Sequence, residues 1–260
     1  MDLASIIGFI LGVGGIIFGN FLQGSNLMQL IDPIGLVIVI FGTAGATIAG
    51  NPMENLKRAM ISAKEVIFFK KVDYENTISE LINYAAKARK NGVLALESDI
   101  EASSDLFIKK ALSLVVDGID PHVVTEIMET ELSNIEDVGD ESVKIFEQAG
   151  GYSPTLGIIG AVLGLIHVMQ HLNNPDRLGA GIAVAFTATL YGLAFANIIL
   201  FPISSKLKIN LRAKVLRNEL ILMGVESIQN GENPRLIEEK LKSFLNESQK
   251  RMYEERNHGK

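Results

Sequence analysis

Four stretches of this chain contain no Asp, Glu, Lys or Arg, and they decide the solvent it folds in: residues 3–31, 33–53, 149–175 and 178–205. A helix rises ~1.5 Å per residue, so about 20 apolar residues cross a hydrocarbon core. The expected spans are residues 3–22, Pro33 to about Gly50, 152–172 and 179–202. In lipid every backbone polar group must be satisfied internally, which selects helices. The expectation is an all-α, polytopic membrane protein with four transmembrane helices and a helical cytoplasmic domain.

Composition narrows the chemistry. With no Cys there is no disulfide, thiolate nucleophile or Cys-bound metal. A balance of 24 basic against 30 acidic residues gives no reason to expect nucleic acid as a partner. The start, Met1-Asp2-Leu3, lacks the basic region of a secretory signal, so the first apolar run reads as a retained span. No phosphate-binding loop, nucleophile elbow or His-Glu-x-x-His motif is present, and neither an enzyme nor a cofactor is expected.

The chain divides into residues 1–52 (spans one and two), 53–148 (a charged helical insert), 149–203 (spans three and four) and 204–260 (C-terminal helices). In the insert the periodicity predicts helices over about 53–68, 73–90, 94–116 with a break or bend near Ser103-Ser104, and 122–147. The second of these buries Ile78, Leu81, Ile82 and Ala85 on one face and stops at Asn91-Gly92. Lys70 and Lys71 follow the first. A basic stretch, Lys206, Lys208, Arg212, Lys214 and Arg217, opens an amphipathic helix to about Gln229, and Asn233-Pro234 starts a last polar helix. The two short loops, residues 23–32 and Asn173-Asn174-Pro175-Asp176-Arg177, hold Arg177 alone among Lys and Arg. By the positive-inside rule the insert and both termini are cytoplasmic.

Small residues line the spans: Gly8, Gly12, Gly15 and Gly19 in the first, Gly157, Gly160 and Gly164 in the third, and Ala185, Thr189, Gly192 and Ala196 in the fourth. The first face is expected to pack helices, and those of the third and fourth either pack the chain's own helices or receive a foreign one. Thr155 and Thr189 offer hydroxyls to water or an ion, yet no span carries a carboxylate to move it. Either nothing is conducted, or a partner helix donates the ionisable group. Pro154 and Pro202 both fall near the cytoplasmic membrane face, where termination is the first reading and a hinge the second. His167 and His171 sit near the outer end of span three, in a structural or interfacial role rather than a proton relay. Lys87-Ala88-Arg89-Lys90 and Glu97-Ser98-Asp99-Ile100-Glu101 flank Gly92, so a tight hairpin displays opposite charges at one tip, solvated or docking a partner.

Three stretches carry a resemblance: residues 86–92 with 96–101, Pro154-Thr155-Leu156-Gly157-Ile158-Ile159-Gly160 with His167, and Thr187-Ala188-Thr189-Leu190-Tyr191-Gly192. The chain resembles the MotA/TolQ/ExbB proton-channel family over nearly its whole length. Four spans favour the flagellar-motor branch over three-span TolQ and ExbB relatives. The resemblance implies a homo-oligomeric ring in the bacterial inner membrane around a dimer of MotB, a single-span, peptidoglycan-anchored partner that supplies the ion-carrying Asp. It implies that Arg89 and Glu97, with Lys87 and Lys90 beside them, meet opposite charges on the rotor protein FliG. Pro154 and Pro202 would couple ion flow to movement, and Thr189 would line the channel together with Thr155 and Ala161. Sodium-driven relatives tend to carry a hydroxyl at the place of Ala161, so protons are the expected ion and sodium the alternative. An energiser of an envelope machine and a non-conducting scaffold are the competing readings.

Overall fold

A computed structural model describes residues 3–24, 30–67, 72–172 and 175–258. Lys70, Lys71, Asn173 and Asn174 lie outside the described residues, as does the side chain of Arg177. Among the described residues every regular element is helical, as the apolar and 3.6-residue patterns predict. The chain forms two compact units, Met1–Phe69 with Gly139–Asn210, and Lys70–Val138 with Leu211–Lys260.

The first unit holds the apolar helices. Helix α1 spans Leu3–Leu22 and α2 spans Pro33–Ala49. Asp32 caps α2 by accepting the N–H groups of Ile34 and Gly35, and Pro33 takes the first position, where a missing N–H costs nothing. Both helices leave large apolar side chains outside, with Leu11 69% and Phe41 71% exposed. Water tolerates no such continuous face, and lipid does. Helix α3 (Met53–Ile67) follows, packing Ala59 and Val66 into a small core with Val143, Phe146, Leu200 and Leu207.

Helix α7 runs from Pro121 to Gln170 without interruption, 50 residues or ~75 Å. The helix expected over 122–147 thus leads directly into span three, and termination at Pro154, which lies inside the helix, is corrected. Proline removes one hydrogen bond and leaves the helix intact where neighbouring packing holds it. Helix α8 (Pro175–Ala194) passes through a six-residue π-helical segment, Phe195–Leu200, into α9 (Phe201–Gln229). Pro202 is the second residue of α9 and terminates nothing; the wide i→i+5 turn before it accommodates the ring. The fourth span and the basic stretch are thus one helical run rather than two. Helices α7 and Leu178–Gln229 are each long and apolar enough to cross a bilayer, while Ile6–Leu22 and Pro33–Ala49 are shorter apolar helices.

In the second unit α4 spans Tyr74–Asn91. The stretch expected as one bent helix is a 3₁₀ turn at Val93–Leu96 and two helices, α5 (Glu97–Ala102) and α6 (Leu106–Val116). Ser103 is extended, and Asp105 caps α6 through the N–H groups of Phe107 and Ile108, which fixes the break. The last polar helix is likewise two, α10 (Pro234–Lys242) and α11 (Glu247–His258). The core joins Ile78 and Leu81 of α4 to Ile108, Leu112, Met128 and Leu220, all fully buried. Ala85 is buried with them and Ile82 only partly, so the predicted face of α4 is the core face.

Arg217, counted among the basic stretch, turns inward. Its guanidinium lies 2.5 Å from the Asp105 carboxylate and donates to Thr77 at 3.0 Å, tying α9 to α6 and α4. Burial raises the pKa of Asp105, but the Ile108 N–H, Arg217 and the Phe107 N–H together outweigh it and hold the carboxyl below its ordinary value. A depressed carboxyl stabilises above its unfolded-state pKa and loses that contribution as pH falls through the folded one. The two side chains are 22% and 25% exposed, between a surface pair and a buried one. Arg217→Ala is therefore expected to cost about 2 kcal/mol. Thermal unfolding of the detergent-solubilised protein checks this, with Asp105→Asn as the partner variant, which should flatten the acid limb of the stability curve.

Candidate functional site

The small-residue faces of α7 and α8 meet each other. A Cβ on Gly157 would lie 2.9 Å from the Ala188 carbonyl and 3.3 Å from the Thr189 Cα. One on Gly164 would lie 2.8 Å from the Gly181 carbonyl, and one on Gly160 would lie 2.6 Å from the Ala188 methyl. Ser153, fully buried beside Pro154, donates its hydroxyl to the Gly192 carbonyl at 2.9 Å. For these glycines, packing within the chain is the reading that holds, and reception of a foreign helix is corrected. The glycines of α1 behave differently: among the described residues a Cβ on Gly12 would lie 3.6 Å from Ile198 of the π segment, whereas one on Gly8, Gly15 or Gly19 would meet nothing within 4 Å. Among the described residues, the packing role expected of all four is met by Gly12.

With their small faces turned inward, α7 and α8 turn their other sides out. Thr155 is exposed on α7, at helical spacing from the exposed Ile158, Ile159 and Val162. Thr189 is half-buried on α8, at the border between packed Ala185 and Gly192 and exposed Phe186 and Leu193. Ala161 is also half-buried. Each hydroxyl is satisfied by its own helix, Thr155 donating to the Tyr152 carbonyl at 2.7 Å and Thr189 to that of Ala185 at 3.1 Å. The oxygen lone pairs of both stay available as acceptors. Further along α7, the His167 and His171 rings lie tilted at 41° with centroids 4.4 Å apart, and a His171 ring nitrogen meets the His167 carbonyl at 2.9 Å. That is the hydrogen-bonded structural arrangement expected of them.

Two features of this unit go beyond the sequence reading. That reading leaves Asp32 at the edge of a loop, yet its carboxylate accepts the Thr187 hydroxyl at 2.8 Å, while its backbone N–H donates to the Tyr191 hydroxyl at 2.8 Å. Tyr191 in turn donates to the Leu30 carbonyl. A signal is present in the sequence: an Asp directly before a helix-opening Pro is a cap, and Thr187 and Tyr191 sit four residues apart on one helix face. The second is Asn197, an exposed amide inside an apolar run, whose NH2 donates to the Leu193 carbonyl at 2.9 Å.

In the second unit, Gly92 takes a φ of +82° and folds α4 back onto α5. Arg89, Lys90 and Glu97 are exposed at this hairpin, with Leu94 between them 69% exposed. Lys87 differs: its ammonium lies 2.6 Å from the Asp99 carboxylate, both about one-third exposed, so it clasps the hairpin instead of standing free.

Known proteins share this arrangement. Residues 99–220 match the MotA/TolQ/ExbB proton channel family, and residues 6–92 match the N-terminal region of motility protein A. Motility protein A of Bacillus subtilis (strain 168) is 38% identical over 249 residues, 94% of this chain and 91% of the relative. The C. jejuni MotAB structure superposes with a TM-score of 0.91 at 34% identity, covering 95% of this chain and 97% of that one. The flagellar MotAB stator complex from Bacillus subtilis gives 0.88 at 35% identity, covering 97% and 99%. Two family matches that between them cover most of the chain, and a full-length relative at this identity, establish that the chain belongs to the MotA/TolQ/ExbB proton channel family.

Proposed function

We propose that this chain is a stator subunit of the bacterial flagellar motor, forming a ring around MotB in the inner membrane and turning ion flow into torque. The observation that carries the reading is the outer surface of α7 and α8. It offers hydroxyls and apolar side chains but no Asp, Glu, Lys or Arg between residues 149 and 175 or 178 and 205. A conducting path here needs a carboxylate from another chain, and MotAB structures superpose on this one. The Lys/Arg distribution supports cytoplasmic termini and a cytoplasmic insert.

In the mechanism, the partner's Asp is neutralised and released beside Thr189, with Thr155 and Ala161 along the same wall. Each charge crossing 100 mV of potential supplies ~2.3 kcal/mol. Pro154 and Pro202 sit where each helix lacks one hydrogen bond, Pro202 beside the π segment, so these are the points at which the helices flex. Asn197, exposed and placed between Thr189 and Pro202 in sequence, adds a polar amide to this stretch. Protons are the favoured ion, because Ala161 presents no ligand to a hard cation.

Arg89, Lys90 and Glu97 are the proposed FliG contacts, and Lys87 supports them by holding Asp99. Arg89→Glu and Glu97→Lys are each expected to cut swimming speed severalfold while the complex still co-purifies with MotB, since like charges then face each other. Normal swimming of both variants in a strain without the native copy defeats the tip assignment. The reading as a whole is tested by deleting the gene: motility must stop, and must be restored by this chain and be abolished by a protonophore.

A further inference from the structure

We propose that Asp32, Thr187 and Tyr191 form a positioning lock that sets the rotation of α8 and thereby the direction in which Thr189 faces; this rests on the stator reading above. Thr187 and Tyr191 stand two residues either side of Thr189. At 100° per residue both therefore lie on the side of the helix away from it. Each is held by the chain just before α2: Thr187 by the Asp32 carboxylate, Tyr191 by the Leu30 carbonyl and the Asp32 N–H. Two anchors one turn apart fix rotation as well as position.

The geometry around the lock is tight. Thr187 is 7% exposed. Its hydroxyl carries one proton, and the Ala183 carbonyl at 2.9 Å competes with Asp32 at 2.8 Å for it. The carboxylate wins because a charged acceptor makes the stronger bond. A Cβ on Gly35 would lie 2.8 Å from the same carboxylate oxygen and 3.1 Å from the Ala188 backbone, so α2 and α8 touch main chain to main chain here. Ordinary side-chain packing lets a helix roll by small amounts. Backbone contact with two hydrogen-bonded pins does not.

The test compares Thr187→Val, which keeps the shape and removes the hydroxyl, with Thr187→Ser, which keeps the hydroxyl, and adds Asp32→Ala alone and with Thr187→Val. Swimming speed is measured against the external concentration of the driving ion, with co-purification with MotB as the measure of assembly. Thr187→Val and Asp32→Ala should each raise the ion concentration for half-maximal speed on the order of threefold to tenfold. Thr187→Ser should leave it at the native value, and the double variant should be no worse than the worse single one, because the Asp32–Thr187 contact is already lost in either single variant and the α2 cap is lost in Asp32→Ala alone. Unchanged ion dependence in Thr187→Val, or effects that multiply in the double variant, overturns the lock and leaves the stator reading standing. Normal swimming without this chain would overturn both.

Discussion

Gly192→Ala is expected to abolish swimming and to prevent recovery of an assembled complex from membranes. The methyl group added at this position would lie 2.7 Å from the Ser153 carbonyl, 3.1 Å from the Gly157 Cα and 3.2 Å from the Pro154 Cα. All three are backbone atoms of α7, so no side chain can swing aside. The helices must separate, and separation breaks the buried Ser153 hydrogen bond to the Gly192 carbonyl along with the contacts at Gly157. In lipid no hydrophobic drive replaces that packing. Overpacking typically costs about 1–3 kcal/mol, and the lost bond adds about 1 more. Gly45→Ala is the control, since a Cβ there meets nothing within 4 Å. Comparable yields of the two variants in detergent extraction would show that α7 and α8 pack less closely than described.

The second large effect is expected at Thr189. Thr189→Val keeps the volume of this half-buried side chain but removes its hydroxyl and the acceptor lone pairs that the hydroxyl carries. Losing one such acceptor for a passing ion or its water costs about 1–1.5 kcal/mol, which is roughly tenfold in conductance. A bulky apolar side chain, Thr189→Phe, adds a steric block and should stop flux altogether. Proton uptake by vesicles containing the assembled complex, driven by an imposed potential, reads both. Full flux in the phenylalanine variant would remove Thr189 from the ion path, and the assembly control separates this from misfolding.

Much of this fold is legible in the sequence because lipid leaves so few options. Charge-free runs of the right length mark all four spans, and membership of a proton channel family agrees with the expectation that the chain is not an enzyme. Helix ends are harder. Pro154 and Pro202 look like stops because proline deprives a helix of one bond, a rule of isolated helices that neighbouring packing overrides. Periodicity gives the 94–116 stretch as one bent helix where Asp105 starts a new one, a capping event set by one side chain. At the site, the tip charges are visible but their division of labour is not: nothing in Lys87-Ala88-Arg89-Lys90 says that Lys87 is occupied by Asp99 while Arg89 is exposed to solvent. Asp32 escapes for the opposite reason. Its partners Thr187 and Tyr191 are more than 150 residues away, and pairing at that range is invisible to periodicity.

The π-helical segment at Phe195–Leu200 has a consequence for how the fourth span can be altered. Bonding from i to i+5 holds about one more residue per turn than the α-helix on either side. The chain therefore keeps a spare residue here, between the stretch that bears Thr189 and the stretch that begins with Pro202. Slack of this kind separates the two registers. Above it, α8 is pinned by Asp32 and by Gly192; below it, α9 answers to Leu207 and the core around it. Ile198, on the spare turn itself, is what α1 touches through Gly12. Were the turn to tighten, one end of the helix would rotate by about 100° relative to the other, and α1 would lose the side chain it rests on.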